Sequence, residues 1–281
     1  MRRMTYLARL DRSVLRLEGA DRVAFLQGLI SNDVTEVAPG RAVYAALLTP
    51  QGKYLADFFV IAAPDAPALL LDCATSQAPL VAARLNRYRL RADARITPMP
   101  PEWGVTAAWG EAPPQPPAPG VRVPDPRLAA AGWRLVTPEP VPGALGPDAY
   151  DTHRLALGLP EGTRDLEPER SVLLEAWFDR LNGVSWTKGC FMGQELTART
   201  RYRGLVKRLV VKVVAEAALP PPGTPILRAD EAVGTLHAGR GAVAMATLRS
   251  DALDDPLVAA GVRLRVDLPP WARAAEDPAT G

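Results

Sequence analysis

Cysteine, histidine and lysine are scarce in this 281-residue chain: two cysteines, two histidines, and four lysines among 33 basic residues. Cys73 and Cys190 stand 117 residues apart, which excludes a disulfide framework and fits a reducing compartment, so the expected location is cytoplasmic. Together with His153 and His237 they are the only soft ligands, and none has metal-type spacing. An all-cysteine cluster site is therefore excluded, and no permanently bound metal is expected from this chain alone. No apolar run approaches the roughly 18 residues needed to cross a bilayer. The Gly-x-Gly-x-x-Gly, Walker A and Gly-x-Ser-x-Gly loops are all missing, and with them the dinucleotide, nucleotide-triphosphate and hydrolase readings. Charge of one sign is lacking too: 31 acidic residues leave a formal +2, too balanced for a phosphate-neutralising surface.

What is there alternates between strand and helix signals. Met1 to Gly19 reads as a first strand. Asp21 then offers a helix N-cap before Val23, Phe25, Leu26, Leu29 and Ile30, which paint one helical stripe. Val43–Thr49 and Tyr54–Ala62 read as strands joined by a Pro50-Gln51-Gly52-Lys53 turn. Leu69–Asp72 reads as a buried strand, with Cys73 in the core, and Leu80, Val81, Leu85 and Tyr88 as a helix packed on a sheet. Fourteen of the 29 prolines fall between Pro98 and Pro147. This span, about 98–147, reads as a Pro-rich insertion flanked by strands at Trp103–Trp109 and Trp133–Thr137, with a helix following at Asp148–Leu157.

From Leu205 the pattern turns to short strands: Leu205–Val214, Ala232–His237, Ala242–Leu248 and Val262–Leu268, with Gly239-Arg240-Gly241 as a hairpin turn. Such a run suggests a small antiparallel barrel, because closure removes sheet edges. The expected class is α+β, with an α+β body over 1–203 and a C-terminal β-barrel over 204–281.

The unusual segment is Trp186-Thr187-Lys188-Gly189-Cys190-Phe191-Met192-Gly193-Gln194-Glu195. Glycines on both sides of Cys190 permit a sharp bend and an accessible thiol. Lys188 and Arg199 could lower the thiol pKa, against the alternative of an inert core cysteine. Gln194 and Glu195 suit the first turn of a helix, where a carboxylate complements the dipole. Arg199 and Arg203 share a helix face, as a solvated pair or an anion clamp. Trp177, Phe178 and Trp186 are core residues or the flat walls of a pocket.

Lys188 to Glu195 resembles the KGC-aromatic-x-GQE signature of the YgfZ family of folate-binding iron-sulfur cluster maturation proteins, with Phe191 in the aromatic place. The resemblance extends to Gly19-Ala20-Asp21, Phe25-Leu26-Gln27-Gly28, Asn32-Asp33-Val34, Pro50-Gln51-Gly52-Lys53, Arg154-Leu155 with Gly158, Ala198-Arg199 and Arg203-Gly204. It implies a T-protein-like multi-part ring around a central channel sized for tetrahydrofolate or a related folate. It also implies that Cys190 carries the activity, that Tyr150 contacts the pterin, and that Arg199 and Arg203 hold the loop or an anionic folate tail. Two departures from the related glycine-cleavage T-proteins disfavour one-carbon transfer. Ala156 stands where those enzymes place a pterin-binding glutamate, and Ser76-Gln77-Ala78-Pro79-Leu80 lacks their acidic residue.

The resemblance thus implies a folate-binding accessory protein in iron-sulfur cluster assembly or repair, which need not be a turnover enzyme. Its partners would be folate and iron-sulfur client or assembly proteins, with indirect effects on tRNA modification and no membrane. Two alternatives stay open: a tetrahydrofolate-dependent transferase of the T-protein type, and a factor that binds tRNA directly.

Overall fold

The structure is a computed structural model and describes residues 4–204 and 206–273. Its first unit is a five-stranded antiparallel sheet built from β2 (Arg12–Glu18), β3 (Val43–Leu48), β4 (Tyr54–Ala62), β5 (Leu69–Ala74) and β6 (Arg95–Pro98), in the order β3-β4-β5-β2-β6. The helices α1 (Arg22–Gln27) and α2 (Ala78–Arg89) supply Leu26, Val81 and Leu85 to one face, against Leu15, Phe58, Leu71 and Cys73. The other face buries Tyr44, Tyr54 and Phe59 in the main core. Burial on both faces explains why β3 and β4 read as unbroken apolar runs rather than alternating ones. Asp21 does stand at the N-cap of α1, but its carboxylate accepts from the Asp93 backbone N–H instead of capping the helix.

The second unit is a four-stranded antiparallel sheet in the order β1-β7-β9-β8. It comprises β1 (Thr5–Arg9), β7 (Gly104–Gly110), β8 (Val121–Pro124) and β9 (Trp133–Thr137). One expectation changes here. The first strand is two, because the chain crosses from one sheet to the other at Leu10 and Asp11. Inside the Pro-rich span the chain adds β8 between the two expected flanking strands, so the span contributes three of the four strands. Prolines at strand ends and in the turns between strands leave the ladders intact. The helices α3 (Pro147–Leu157), α4 (Gly162–Asp165) and α5 (Gln194–Tyr202) follow, α3 packing on β1.

The last part is a closed antiparallel barrel of β10 (Arg208–Ala215), β11 (Pro225–Arg228), β12 (Glu231–Arg240), β13 (Val243–Arg249), β14 (Leu257–Ala259) and β15 (Val262–Val266). Pairing of β10 with both β13 and β15 closes it. β11 and β14 carried too short a pattern to be read from sequence. Gly239 and Arg240 are strand residues of β12 paired to Ala244 and Val243, and the turn falls at Gly241, with φ +59°. Leu205, where the sequence places the start of the first barrel strand, lies outside the described residues, as do residues 1–3 and 274–281.

A buried ionic chain ties the two sheets together. Asp72 on β5 pairs with Arg12 on β2 and, at 2.6 Å, with Arg134 on β9. Arg134 reaches Asp125, which holds Arg127 at 2.8 Å, and Arg127 donates to the Tyr150 hydroxyl at 2.8 Å. Arg134 and Arg127 also lie over the Phe59 ring, at 3.4 and 5.0 Å from its centroid. Burial pushes the Asp125 carboxyl up, but Arg127 and Arg134 outweigh this and hold it down at about 2.

Candidate functional site: a thiol on a clamped loop

Two segments far apart in sequence are zipped together around the cysteine. One is the loop leaving α1, residues 27–33; the other runs from Asn182 to Met192. Ser31 donates its hydroxyl to the Gly183 carbonyl at 2.6 Å, and its own carbonyl accepts from the Ser185 N–H at 3.0 Å. The Asn32 amide donates to the carbonyls of Tyr44 and Asn182, at 2.8 and 2.7 Å. Further along, the Met192 N–H meets the Gly28 carbonyl at 3.0 Å.

Lys188 is the centre of the zip. Its ammonium donates to the carbonyls of Gln27, Ile30 and Asn32, at 2.6, 2.8 and 2.7 Å. Gln27 is the last residue of α1, so the lysine satisfies a carbonyl that the helix end leaves open, where a cation also complements the dipole. Burial pushes the Lys188 pKa down to about 8, with Asp33 opposing, and three acceptors suit a group carrying three protons. These contacts give Lys188 a second role beside the expected tuning of the thiol. Its protons are taken by backbone oxygens, which makes it a positioning residue for the loop.

The side chains after the cysteine anchor the loop's other end. Phe191 packs on the main core, 5.2 Å from the Lys188 nitrogen, and Met192 packs on the core of the first sheet. Gln194 accepts from the Phe191 N–H at 3.1 Å through its side chain, closing the turn into α5. Glu195 sits exposed in the first turn of that helix. Gly193 is the N-cap of α5, at φ +80°, and a Cβ there would lie 2.6 Å from the Thr49 carbonyl oxygen. Gly52, also at φ +80°, faces it from the β3–β4 turn, where a Cβ would lie 2.6 Å from the Gly193 oxygen. The Pro50–Lys53 turn and the signature loop thus approach so closely that both positions require glycine. Gly189 is different: nothing lies within 4 Å of where its Cβ would be, so no contact demands glycine there.

Between these anchors Cys190 is exposed, whereas Cys73 is buried in the first sheet and burial pushes its thiol up to about 12. The two thiols therefore differ in access by position alone. Among the described residues no group of three or more His, Cys, Asp or Glu side chains is arranged to hold a metal. His153 stacks on Trp109 with ring centres 4.8 Å apart, and His237 hydrogen-bonds Thr247 at 2.7 Å.

Beside the loop lies a cleft of about 670 Å³. Asn32, Asp33, Tyr44, Asn182 and Trp186 are among its walls. Of the aromatics near the signature, Trp186 lines this cleft, whereas Phe178 is core and Trp177 donates to the Val210 carbonyl at 2.7 Å. The residues expected to hold folate do not come together here. Tyr150 is buried, its hydroxyl bound to Arg127, and the cavity next to it is only about 70 Å³. That is far below the several hundred Å³ of a typical ligand pocket. Arg199 and Arg203 are exposed on and just after α5 and line neither space. Ala156 is exposed too, in a separate cleft with Lys212 and Trp271. The residues that sequence reasoning passed over are Ser31, Asn182 and the ionic chain. Asn182 carried a faint signal, since asparagine before glycine suits its φ of +54°.

Comparison with known proteins places this geometry. Over 95% of this chain and 86% of the other, the fold matches the glycine cleavage system aminomethyltransferase T from Bartonella henselae, with a TM-score of 0.79 and 16% identity. Residues 207–274 match the family profile described as the CAF17 C-terminal beta-barrel domain. The human mitochondrial iron-sulfur cluster assembly factor IBA57 is 35% identical, over 94% of this chain and 84% of its own length. The mouse protein of that name is 35% identical over 89% and 79%. A homolog from Mycosarcoma maydis is 33% identical over 79% of this chain and 60% of its own. All three relatives are mitochondrial, which overturns the cytoplasmic location expected from cysteine usage. Few cysteines report a reducing environment, and that does not tell one reducing compartment from another. With this identity across nearly its whole length, the chain belongs to the IBA57 family of iron-sulfur cluster assembly factors.

Proposed function

We propose that this protein is an accessory factor in iron-sulfur cluster assembly or repair, acting through the Cys190 thiol. The observation that carries the reading is an exposed cysteine on a loop that is otherwise pinned on both sides, by Lys188 before it and by Phe191, Met192 and Gly193 after it. Such a mounting presents the sulfur to a second molecule and keeps it from folding into the core. A cluster is cargo in this reading: Cys190 loses its proton to solvent, contributes one thiolate, and the partner supplies the remaining ligands. The resemblance of Lys188–Glu195 to the YgfZ signature supports the same assignment.

The folate that the fold family implies fits the cleft beside Trp186 better than the neighbourhood of Tyr150. The cleft has the volume, an aromatic face in Trp186, and polar edges in Asp33 and Asn182. Hydrogen bonds from Thr35 hold the Asp33 carboxyl below its usual range, so it would meet a pterin ring as an acceptor. Effects on thiolated tRNA follow indirectly, through modifying enzymes that need clusters. Nothing in the charge balance favours direct binding to tRNA.

Complementation of cells lacking their own family member tests the thiol. Wild type should restore an iron-sulfur enzyme's activity, and Cys190→Ser and Cys190→Ala should fail at normal protein levels. Full restoration by both variants would sink the reading. For folate, calorimetric titration with 5-formyltetrahydrofolate should give binding that Trp186→Leu removes and Tyr150→Phe leaves in place.

A further inference from the structure

α5 turns one face to solvent. Glu195, Arg199, Tyr202 and Arg203 are spaced i, i+4, i+7 and i+8 and are all exposed, while Thr197 and Thr200 are buried. Tyr202 is 83% exposed, an unusual position for a large ring with no packing role. Lys207 and Arg208 extend the exposed basic set beyond the helix. Nearer the cysteine, Trp186 is partly exposed under the Arg201 guanidinium, which lies 4.3 Å from the ring centroid.

The positive charge on this face is offset only in part, by Glu195. Arg199, Arg203, Lys207 and Arg208 form no ion pair among the described residues. Glu175, the carboxylate that feels Arg208, is turned to the Val172 N–H instead. Two arginines on the barrel are, by contrast, neutralised. Arg228 meets Glu231, Asp251 and Asp255, and Arg249 meets Glu231 and Asp251. Exposed tyrosine, a tryptophan–arginine stack and open arginines make up the side-chain set that dominates protein interfaces. Four cations with Glu195 among them, on a chain of net +2, neutralise too few phosphates for an RNA.

We infer that the exposed face of α5, continued by Lys207 and Arg208, is the docking surface for a partner protein with a carboxylate-rich face, seated beside Cys190. The inference rests on the cluster-assembly reading and adds the location of the partner and its chemistry.

The test places the photo-crosslinker benzoylphenylalanine at Tyr202 of the full chain in cells, with Leu90 as the control site. Leu90 is 88% exposed and flanked by Arg89 and Arg91, so it samples unspecific basic surface. Position 202 should capture one protein species that position 90 does not, and carbodiimide should join Lys207 to an Asp or Glu of that same protein. Against that purified protein, Arg199→Glu with Arg203→Glu should weaken binding about tenfold or more at low salt, the difference shrinking at high salt. Arg199→Gln with Arg203→Gln should weaken it less, with an unchanged thermal melt. Capture of RNA, capture of a second copy of this chain, no capture above control, or unaltered affinity would each overturn the inference. Complementation separates it from the reading it rests on. If the charge-reversed chain restores cluster enzymes and Cys190→Ala does not, the docking surface is wrong and the thiol reading stands.

Discussion

Replacing Lys188 by methionine keeps the aliphatic stem and removes only the ammonium, so it isolates the clamp on the α1 loop. Three carbonyl oxygens, at 2.6, 2.8 and 2.7 Å, lose their donor together. Hydrogen bonds to a charged group contribute about 1.5–3 kcal/mol each, and relief of the buried ammonium returns part of the sum. A net loss of about 3 kcal/mol is expected. At roughly 2–4 °C per kcal/mol for a chain somewhat smaller than this one, that is a fall in Tm on the order of 10 °C. Denaturant unfolding and thermal melting measure the stability, and iodoacetamide labelling of Cys190 in the folded protein reports on the thiol. The labelling rate should rise or hold as the loop loosens, on the reading that the ammonium acts on the loop rather than on the sulfur. Lys188→Arg should rescue only part of the stability, since a planar guanidinium does not converge on three carbonyls as a tetrahedral ammonium does. Stability within about 0.5 kcal/mol of wild type, combined with labelling slowed tenfold, would refute the reasoning and return Lys188 to the role of thiol activator.

Three further outcomes are expected. Gly193→Ala should cost about 2–4 kcal/mol by unfolding titration, from the left-handed backbone and the Thr49 oxygen in its way, whereas Gly189→Ala should stay within about 0.5 kcal/mol. Arg134→Met leaves Asp72 paired to Arg12 alone and Asp125 to Arg127 alone, and should cost about 1–3 kcal/mol from the lost charged hydrogen bonds, read as a fall in Tm. Burial pushes both histidines below 6.5, so the unfolded chain takes up their protons first; stability should fall as pH drops below about 6.5, and His153→Gln with His237→Gln should flatten that part of the profile.

The strands whose residues are buried on both faces, such as Val43–Leu48 and Tyr54–Ala62, were legible because a long apolar run bounded by Pro50 and Gly52 leaves few alternatives. Val121–Pro124 and Leu257–Ala259 were not, since three or four residues carry too little pattern to rise above a loop. The signature around Cys190 was legible as an unusual density of glycine, lysine, cysteine and glutamine. Its internal roles were not. Proximity in sequence suggested that Lys188 serves the thiol across Gly189, whereas the fold presents three carbonyls from residues 27–32 to the same ammonium.

Hydrophobic periodicity and turn residues, both local properties, determined the α+β class, the β3–β4 hairpin, the helices at α2 and α3, and the change to barrel strands near residue 205. What met what was left to the tertiary structure. The glycine pair Gly52 and Gly193 and the chain Arg12–Asp72–Arg134–Asp125–Arg127–Tyr150 join residues from separate strands and loops, with no local signal of their pairing. The same holds for exposure: two cysteines of one chemistry differ because β4 and β2 pack around Cys73, while the loop zipped to α1 holds Cys190 in water.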